Sequence, residues 1–260
     1  MIHSLANVHP EARVAATATV EAFAYISKDV EVGEGSWIGP HSTIFDGARI
    51  GKNCKIFPGA VIAAIPQDLK FKGEITYAEI GDGTVIRECA TVNRGTKAVG
   101  KTSIGKNCLL MAYSHVAHDC TLGNNVILVN AVGLAGEIEI GDWAILSGNT
   151  MVHQFVRIGA HVMIQGGSKI GKDVPPFVMA GRDPIRFEGI NLVGLRRRGF
   201  SEELIEEIHE IYRCIYQRGF NTTQALDHIT NNLKGNGERD LIVDFIRNSR
   251  RGIIKGPFDL

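Results

Sequence analysis

Residues 104–170 read IGKNCL LMAYSH VAHDCT LGNNVI LVNAVG LAGEIE IGDWAI LSGNTM VHQFVR IGAHVM IQGGSK I when broken into sixes. Every six opens on a branched aliphatic: Ile104, Leu110, Val116, Leu122, Leu128, Leu134, Ile140, Leu146, Val152, Ile158, Ile164, Ile170. A period of six matches neither the 3.6 of an α-helix nor the 2 of an isolated strand, and it marks a hexapeptide-repeat parallel β-helix. Three such sixes make one triangular turn, so residues 18 apart stack in a column. One coil cannot bury its apolar side alone, but a stack of coils can.

The lattice extends back to Val8. Of the 28 positions at this spacing from 8 to 170, 25 are Val, Ile or Leu; the exceptions are Asp68, Glu74 and Ala98. Glycine often follows the aliphatic directly, as at Gly33, Gly51, Gly81, Gly105 and Gly123, and asparagines recur at 53, 107, 124 and 125. Both residue types tolerate φ > 0, which tight corners need. Two interruptions, 63–79 and 93–103, read as loops leaving the prism, the first carrying Asp68, Lys70 and Lys72. Loops on a rigid scaffold are where binding groups usually sit. The repeat stops at Val174-Pro175-Pro176, since two prolines cannot continue a ladder. The expected organisation is therefore a coil over 1–176, a Gly- and Arg-rich connector over 177–200, and a small α-helical domain over 201–260. Ser201 is the N-cap of its first helix, and further helices are expected near 222–233 and 239–250. This domain is expected to cap the open coil end.

Composition excludes several function classes. The 260 residues hold 28 basic and 28 acidic side chains, so no global field points to nucleic acid or anionic lipid. No stretch approaches the roughly 18–20 apolar residues of a membrane span, and the N-terminus lacks the pattern of a signal peptide. The five cysteines form no CxxC pair; Cys54, Cys108 and Cys120 read as small inward packers. A reducing cytoplasmic compartment follows.

Chemistry concentrates near His118. Counting by 18 stacks His118 with Gly136 and Gln154, and Ala117 with Ala135 and His153, so His115, His118 and His153 gather along one edge. An imidazole can accept a proton from a hydroxyl near neutral pH, which activates an otherwise weak nucleophile. Asp119 would fix its tautomer, and the bare amide of Gly136 would face a developing oxyanion. These are the parts of an acyl transfer. Three other readings stand beside it: a hexapeptide-fold metalloenzyme with histidine ligands, plain structural histidines, and a rigid trimeric scaffold. The His115–His118 spacing does not favour the metal, and no metal site is assigned.

The runs LLMAYSHVAHDC (109–120), LAG (134–136), MVHQFVRIGAHVM (151–163), IPQDLKFKGE (65–74), NRGT (93–96) and GINLVGLRRRGF (189–200) closely resemble the UDP-N-acetylglucosamine O-acyltransferase family over essentially the whole chain. The resemblance implies a mainly β chain: a left-handed parallel β-helix with a C-terminal α-helical domain, assembled as a homotrimer with active sites between subunits. It implies transfer of an (R)-3-hydroxyacyl group from acyl carrier protein to the 3-hydroxyl of a UDP-sugar, the first step of lipid A biosynthesis. No resident cofactor is expected, because the donor protein carries its own phosphopantetheine. His118 matches the general base with Asp119 beside it, and Gly136 matches the oxyanion donor. Asp68, Lys70, His115, His153 and Gln154 match residues that hold the sugar and acyl group. Asn191, Arg197 and Arg198 match the nucleotide end, and Gly166 falls where acyl length is limited. Two departures stand out. Glu137 occupies a position where the family pattern has His, and Val193 one where it has an acid; the first bears on the choice between a 3-hydroxy and a 3-amino sugar. The acidic donor implies a basic landing patch, drawn from Arg157, Lys169, Lys172, Arg182, Arg186 and Arg196.

Overall fold

A computed structural model describes residues 1–257. Each six folds as a two-residue strand and a turn. In His115–Val116 the valine points inward and is fully buried while the imidazole stays on the outer surface, and Thr121–Leu122 and Ile127–Leu128 repeat the pattern on the next two sides. Each aliphatic so buried contributes about 1.5–3 kcal/mol, and the core is one unbroken column of them from Val20 to Ile170.

The strands line three sides of a prism. The first side has nine strands, from Asn7–Val8 to Lys169–Ile170; the second has eight, from Arg13–Val14 to Arg157–Ile158. The third has ten: a parallel run from Thr19–Val20 to Met163–Ile164, then Val178–Gly181, then the antiparallel Arg186–Ile190. The 18-residue register holds at His115↔Gly133↔Met151. It stretches to 30 at Val61↔Thr91 and to 24 at Thr91↔His115. The extra residues leave the prism between Val61–Ala64 and Tyr77–Ile80, and between Thr91–Asn93 and Lys101–Ile104. Both insertions therefore emerge at the corner joining the first side to the second. His118 and Asp119 lie at this same corner.

The corner glycines have a different purpose from the one expected. Positive φ falls three residues after the aliphatic, at Asn53, Asn107 and Asn125 but also at Asp119 (φ 61), Trp143 and His161. The glycines that directly follow the second-side aliphatics, from Gly33 to Gly159, form a column of their own. A Cβ on Gly33, Gly51, Gly81, Gly105, Gly123, Gly141 or Gly159 would come within 2.2–2.6 Å of the next coil. They are needed for close approach rather than for backbone freedom.

Residues 177–200 continue the third side through the two strands named above and end in the short helix α1 (Leu192–Arg197). Helices α2 (Glu202–Tyr216), α3 (Thr222–Asn232) and α4 (Gly237–Arg247) follow, with the Ser201 side chain accepting from the Leu204 amide at the start of α2. Asp173 joins this end to the coil. Its buried carboxylate accepts from the Arg157 amide at 2.9 Å and the Ser249 hydroxyl at 2.7 Å, and its backbone bridges to Ile253. The fully buried Tyr212 hydroxyl donates to the Pro176 carbonyl, a second tie between α2 and the end of the coil.

The Gly105→Ala methyl would sit 2.3 Å from the Gly123 carbonyl oxygen. Overpacking of this kind costs about 1–3 kcal/mol or more. A urea melt should therefore show a lower midpoint with an unchanged slope; an unchanged midpoint would show that the coils have slack at this corner.

Candidate active site

The site is built at the corner between the first and second sides. His118 is 8% and Asp119 3% exposed. The His118 Nδ1 lies 2.8 Å from Asp119 Oδ2. Asp119 already accepts from the Thr96 amide at both oxygens (2.9 and 3.1 Å), from the Thr96 hydroxyl at 2.6 Å and from the Val99 amide at 3.3 Å. A carboxylate surrounded by donors acts only as an acceptor, so the hydrogen between it and the ring lies on Nδ1; in the neutral tautomer this leaves the lone pair on Nε2. The left-handed turn at Asp119 brings its carboxylate back onto the ring of the preceding residue; aspartate tolerates that conformation.

Gly136 lies directly beneath the ring. A Cβ there would be 2.5 Å from His118 Cε1 and 2.7 Å from Nε2. The ring occupies the space that any other residue would fill. Among the described residues nothing accepts from the Gly136 amide, whereas the next residue, Glu137, donates to the His118 carbonyl at 3.0 Å. An imidazole nitrogen and an unspent N–H thus face one another's neighbourhood at a buried edge.

Other expected residues share this edge. His115 is held at Nδ1 by the Thr91 hydroxyl at 2.7 Å; burial, and next the charge of His118, push its pKa down. Gln154 donates to Glu137 at 3.3 Å, and the exposed His153 turns its Nδ1 to the Gln154 carbonyl. Asp68 caps a turn in the first insertion by accepting from the Lys70 amide at 2.9 Å, while the Lys70 ammonium is exposed. The two insertions touch, since the Arg94 guanidinium lies 5.4 Å over the Phe71 ring. An open groove of about 810 Å³, lined by Val99, Asp119, Glu137, Phe155 and, at its far end, Arg250 and Arg251, runs beside the edge.

Four expected residues do not reach this edge within one chain. Gly166 lies at the corner between the third and first sides, two residues after Ile164. Arg197, the last residue of α1, and Arg198, its C-cap, lie toward the corner between the second and third sides, where Arg198 donates to the Trp143 carbonyl and covers its ring at 5.3 Å. Asn191 is a cap: its Oδ1 accepts from the Gly194 amide and its Nδ2 donates to the His161 carbonyl. Of the expected landing cations, Arg157, Lys169, Arg182 and Arg196 each have a carboxylate partner within the chain. Lys172 and Arg186 line a hollow of about 300 Å³ with Lys169 and Lys255.

Two residues outside the expected set serve the site. Thr96 and Thr102 hold Asp119, the second by accepting its amide at 2.8 Å. The signals for them are the break in the lattice at Ala98 and, for Thr96, its place in the run NRGT (93–96). Among the described residues no group of three or more His, Cys, Asp or Glu is placed to hold a metal.

A three-sided parallel coil with an imidazole seated on a free amide defines a transferase of the hexapeptide-repeat class. Residues 29–64 and 101–136 match the family described as Bacterial transferase hexapeptide (six repeats). Residues 173–254 match Udp N-acetylglucosamine O-acyltransferase; Domain 2. The chain is 45% identical over 201 residues to the acyl-[acyl-carrier-protein]–UDP-N-acetylglucosamine O-acyltransferase of Burkholderia lata, a match covering 75% of this chain and 77% of that one. The solved UDP-N-acetylglucosamine acyltransferase of Bacteroides fragilis 9343 superposes with a TM-score of 0.95 at 54% identity, covering 98% of this chain and 100% of that one. The Francisella novicida enzyme does so with a TM-score of 0.96 at 44% identity, covering 99% and 95%. The chain belongs to the UDP-N-acetylglucosamine O-acyltransferase family and has its left-handed β-helix.

Gly136→Ala is expected to leave the coil intact and displace the imidazole, and a shift of about 1 Å can cost on the order of a hundredfold in rate. Steady-state kinetics beside a thermal melt check this; full turnover would show that the ring need not sit on residue 136. His161 offers a test of stability. It stacks 5.4 Å from Phe177, its Nδ1 is buried without a partner, and burial, then the Arg198 charge, lower its pKa to about 4. The unfolded chain takes up this proton near 6.5. Between the two values the unfolded state binds more protons, so stability is full above pH 6.5 and falls as pH drops toward 4. Between pH 7.5 and 4.5 the wild type should lose about 1–3 kcal/mol more than His161→Asn in urea melts. Parallel pH curves for the two would refute the assignment.

Proposed function

We propose that His118 is the general base with which this enzyme moves an (R)-3-hydroxyacyl group from acyl carrier protein to the 3-hydroxyl of UDP-N-acetylglucosamine, the first step of lipid A biosynthesis. The observation that carries this reading is the seat of the His118 ring on Gly136 with Nδ1 bonded to Asp119. The sugar hydroxyl gives its proton to Nε2 as its oxygen attacks the thioester carbonyl. The carbonyl oxygen takes up the negative charge and accepts from the Gly136 amide. Collapse breaks the carbon–sulfur bond, and the departing thiolate recovers the proton from His118. Asp68, Lys70, His115, His153 and Gln154 hold sugar and acyl groups around this point. The chemistry needs no cofactor bound by the chain, because the donor brings its phosphopantetheine.

The placement of the remaining residues at the two other corners supports a composite site. Gly166, Arg197 and Arg198 serve an edge other than their own, which a homotrimer provides by setting His118 of one subunit against the other corners of its neighbours. Asn191, spent as a cap, acts by fixing α1 and so the two arginines. A guanidinium suits a diphosphate. The proposed setting is the cytoplasm; no helix among the described residues is long and apolar enough to cross a membrane.

Mass-resolved assay of UDP-N-acetylglucosamine and its 3-amino counterpart with 3-hydroxyacyl carrier proteins of graded length should show transfer to the hydroxyl sugar. His118→Ala should lower kcat by about two to four orders of magnitude without loss of assembly. Mixing His118→Ala with Arg198→Ala after subunit exchange should restore part of the activity, because some interfaces then join an intact base to an intact arginine. Near wild-type turnover by His118→Ala removes the base, and no recovery on mixing removes the composite site.

A further inference from the structure

The second insertion serves the carboxylate beside the base. It is only six residues longer than an ordinary corner, and its register step of 24 at Thr91↔His115 shows that the coil resumes undisturbed. Within it Thr96 is 6% exposed and faces Asp119 with two donors, its amide and its hydroxyl. The hydroxyl proton has one direction available. Thr96 Oγ1 accepts from the Ala98 amide at 3.1 Å, so its own hydrogen is free to point at Asp119 Oδ2, 2.6 Å away. Oδ2 is also the oxygen bonded to His118 Nδ1. One oxygen is thus shared by the ring and by a threonine 22 residues earlier in the chain. A carboxylate free to rotate would offer either oxygen and a range of angles; the Thr96 donors leave it one orientation.

We infer that Thr96 is a positioning residue for the acyl transfer: through Asp119 it holds the His118 imidazole in the tautomer and orientation that the reaction uses. This rests on the reading of His118 as the base. Thr96 touches no reacting atom, so its removal acts on kcat and only through Asp119.

Thr96→Val keeps the shape and the backbone donors and deletes the hydroxyl. Loss of one hydrogen bond to a buried charged group should lower kcat about tenfold with KM for both substrates changed less than about twofold. Thr96→Ser should keep kcat within about twofold of wild type, since the donor remains. In an Asp119→Asn background the further change Thr96→Val should cost less than about twofold, because residues that act through one another are not additive. A merely structural threonine would cost the same factor in both backgrounds. Equal costs, or a Thr96→Val enzyme with wild-type kcat, overturn the inference. If Thr96→Val does not fold, Thr96→Ala deletes the same hydroxyl and is judged by the same outcomes. The His118→Ala enzyme is assayed alongside: full activity there refutes the base itself, whereas a dead His118→Ala with an unaffected Thr96→Val refutes only the role of Thr96.

Discussion

Hydrogen bonds running from each coil to the next decide which residues are neighbours in this protein. The His115 amide donates to the Val132 carbonyl at 2.8 Å and the Ala117 amide to the Leu134 carbonyl at 3.2 Å. With those bonds made, Gly136 has no alternative to lying under His118. A slip by one residue would turn the aliphatics outward and lose the core, so the register is strongly specified. The precision of the catalytic edge is inherited from the ladder; it does not depend on any feature of the edge alone.

At that edge three independent requirements coincide. The ring needs a position with no side chain beneath it, which Gly136 supplies. Its Nδ1 needs an acceptor, and the left-handed turn at residue 119 folds one back onto it. The acceptor is buried, and a buried carboxylate is costly unless donors surround it. Those donors come from the second insertion. All three are met at one corner of one coil, where the second insertion leaves the prism beside the stacked His118 and Gly136.

The prism was readable because its signal repeats: an aliphatic every sixth residue, 25 times in 28, is evidence of a kind that single motifs cannot offer. The pairing of His118 with Gly136 followed from the same count, since stacking is arithmetic. What escaped were facts that repeats do not encode. Glycine after the aliphatic reads as a turn residue, but the contact it avoids is with the next coil, 17 or more residues away. Thr96 meets Asp119 across 23 positions through a loop whose path no period describes. Counting in sixes assigns Gly166 to a corner other than that of His118, and no period describes the connector that carries Arg198. Family likeness puts Asn191 at the nucleotide end, and only the folded chain shows that its side chain caps the first turn of α1 and donates to the His161 carbonyl.

Both insertions leave and rejoin the prism at adjacent lattice points of a single corner. Nothing inside the barrel of aliphatics senses their length, since Ile80 still pairs with Ile104 and Val92 with Val116. Such a corner works as a socket: new segments can be grafted there while the scaffold keeps its dimensions. A lineage carrying this architecture is thereby free to revise what it recognises without refolding the part of the molecule that keeps it standing.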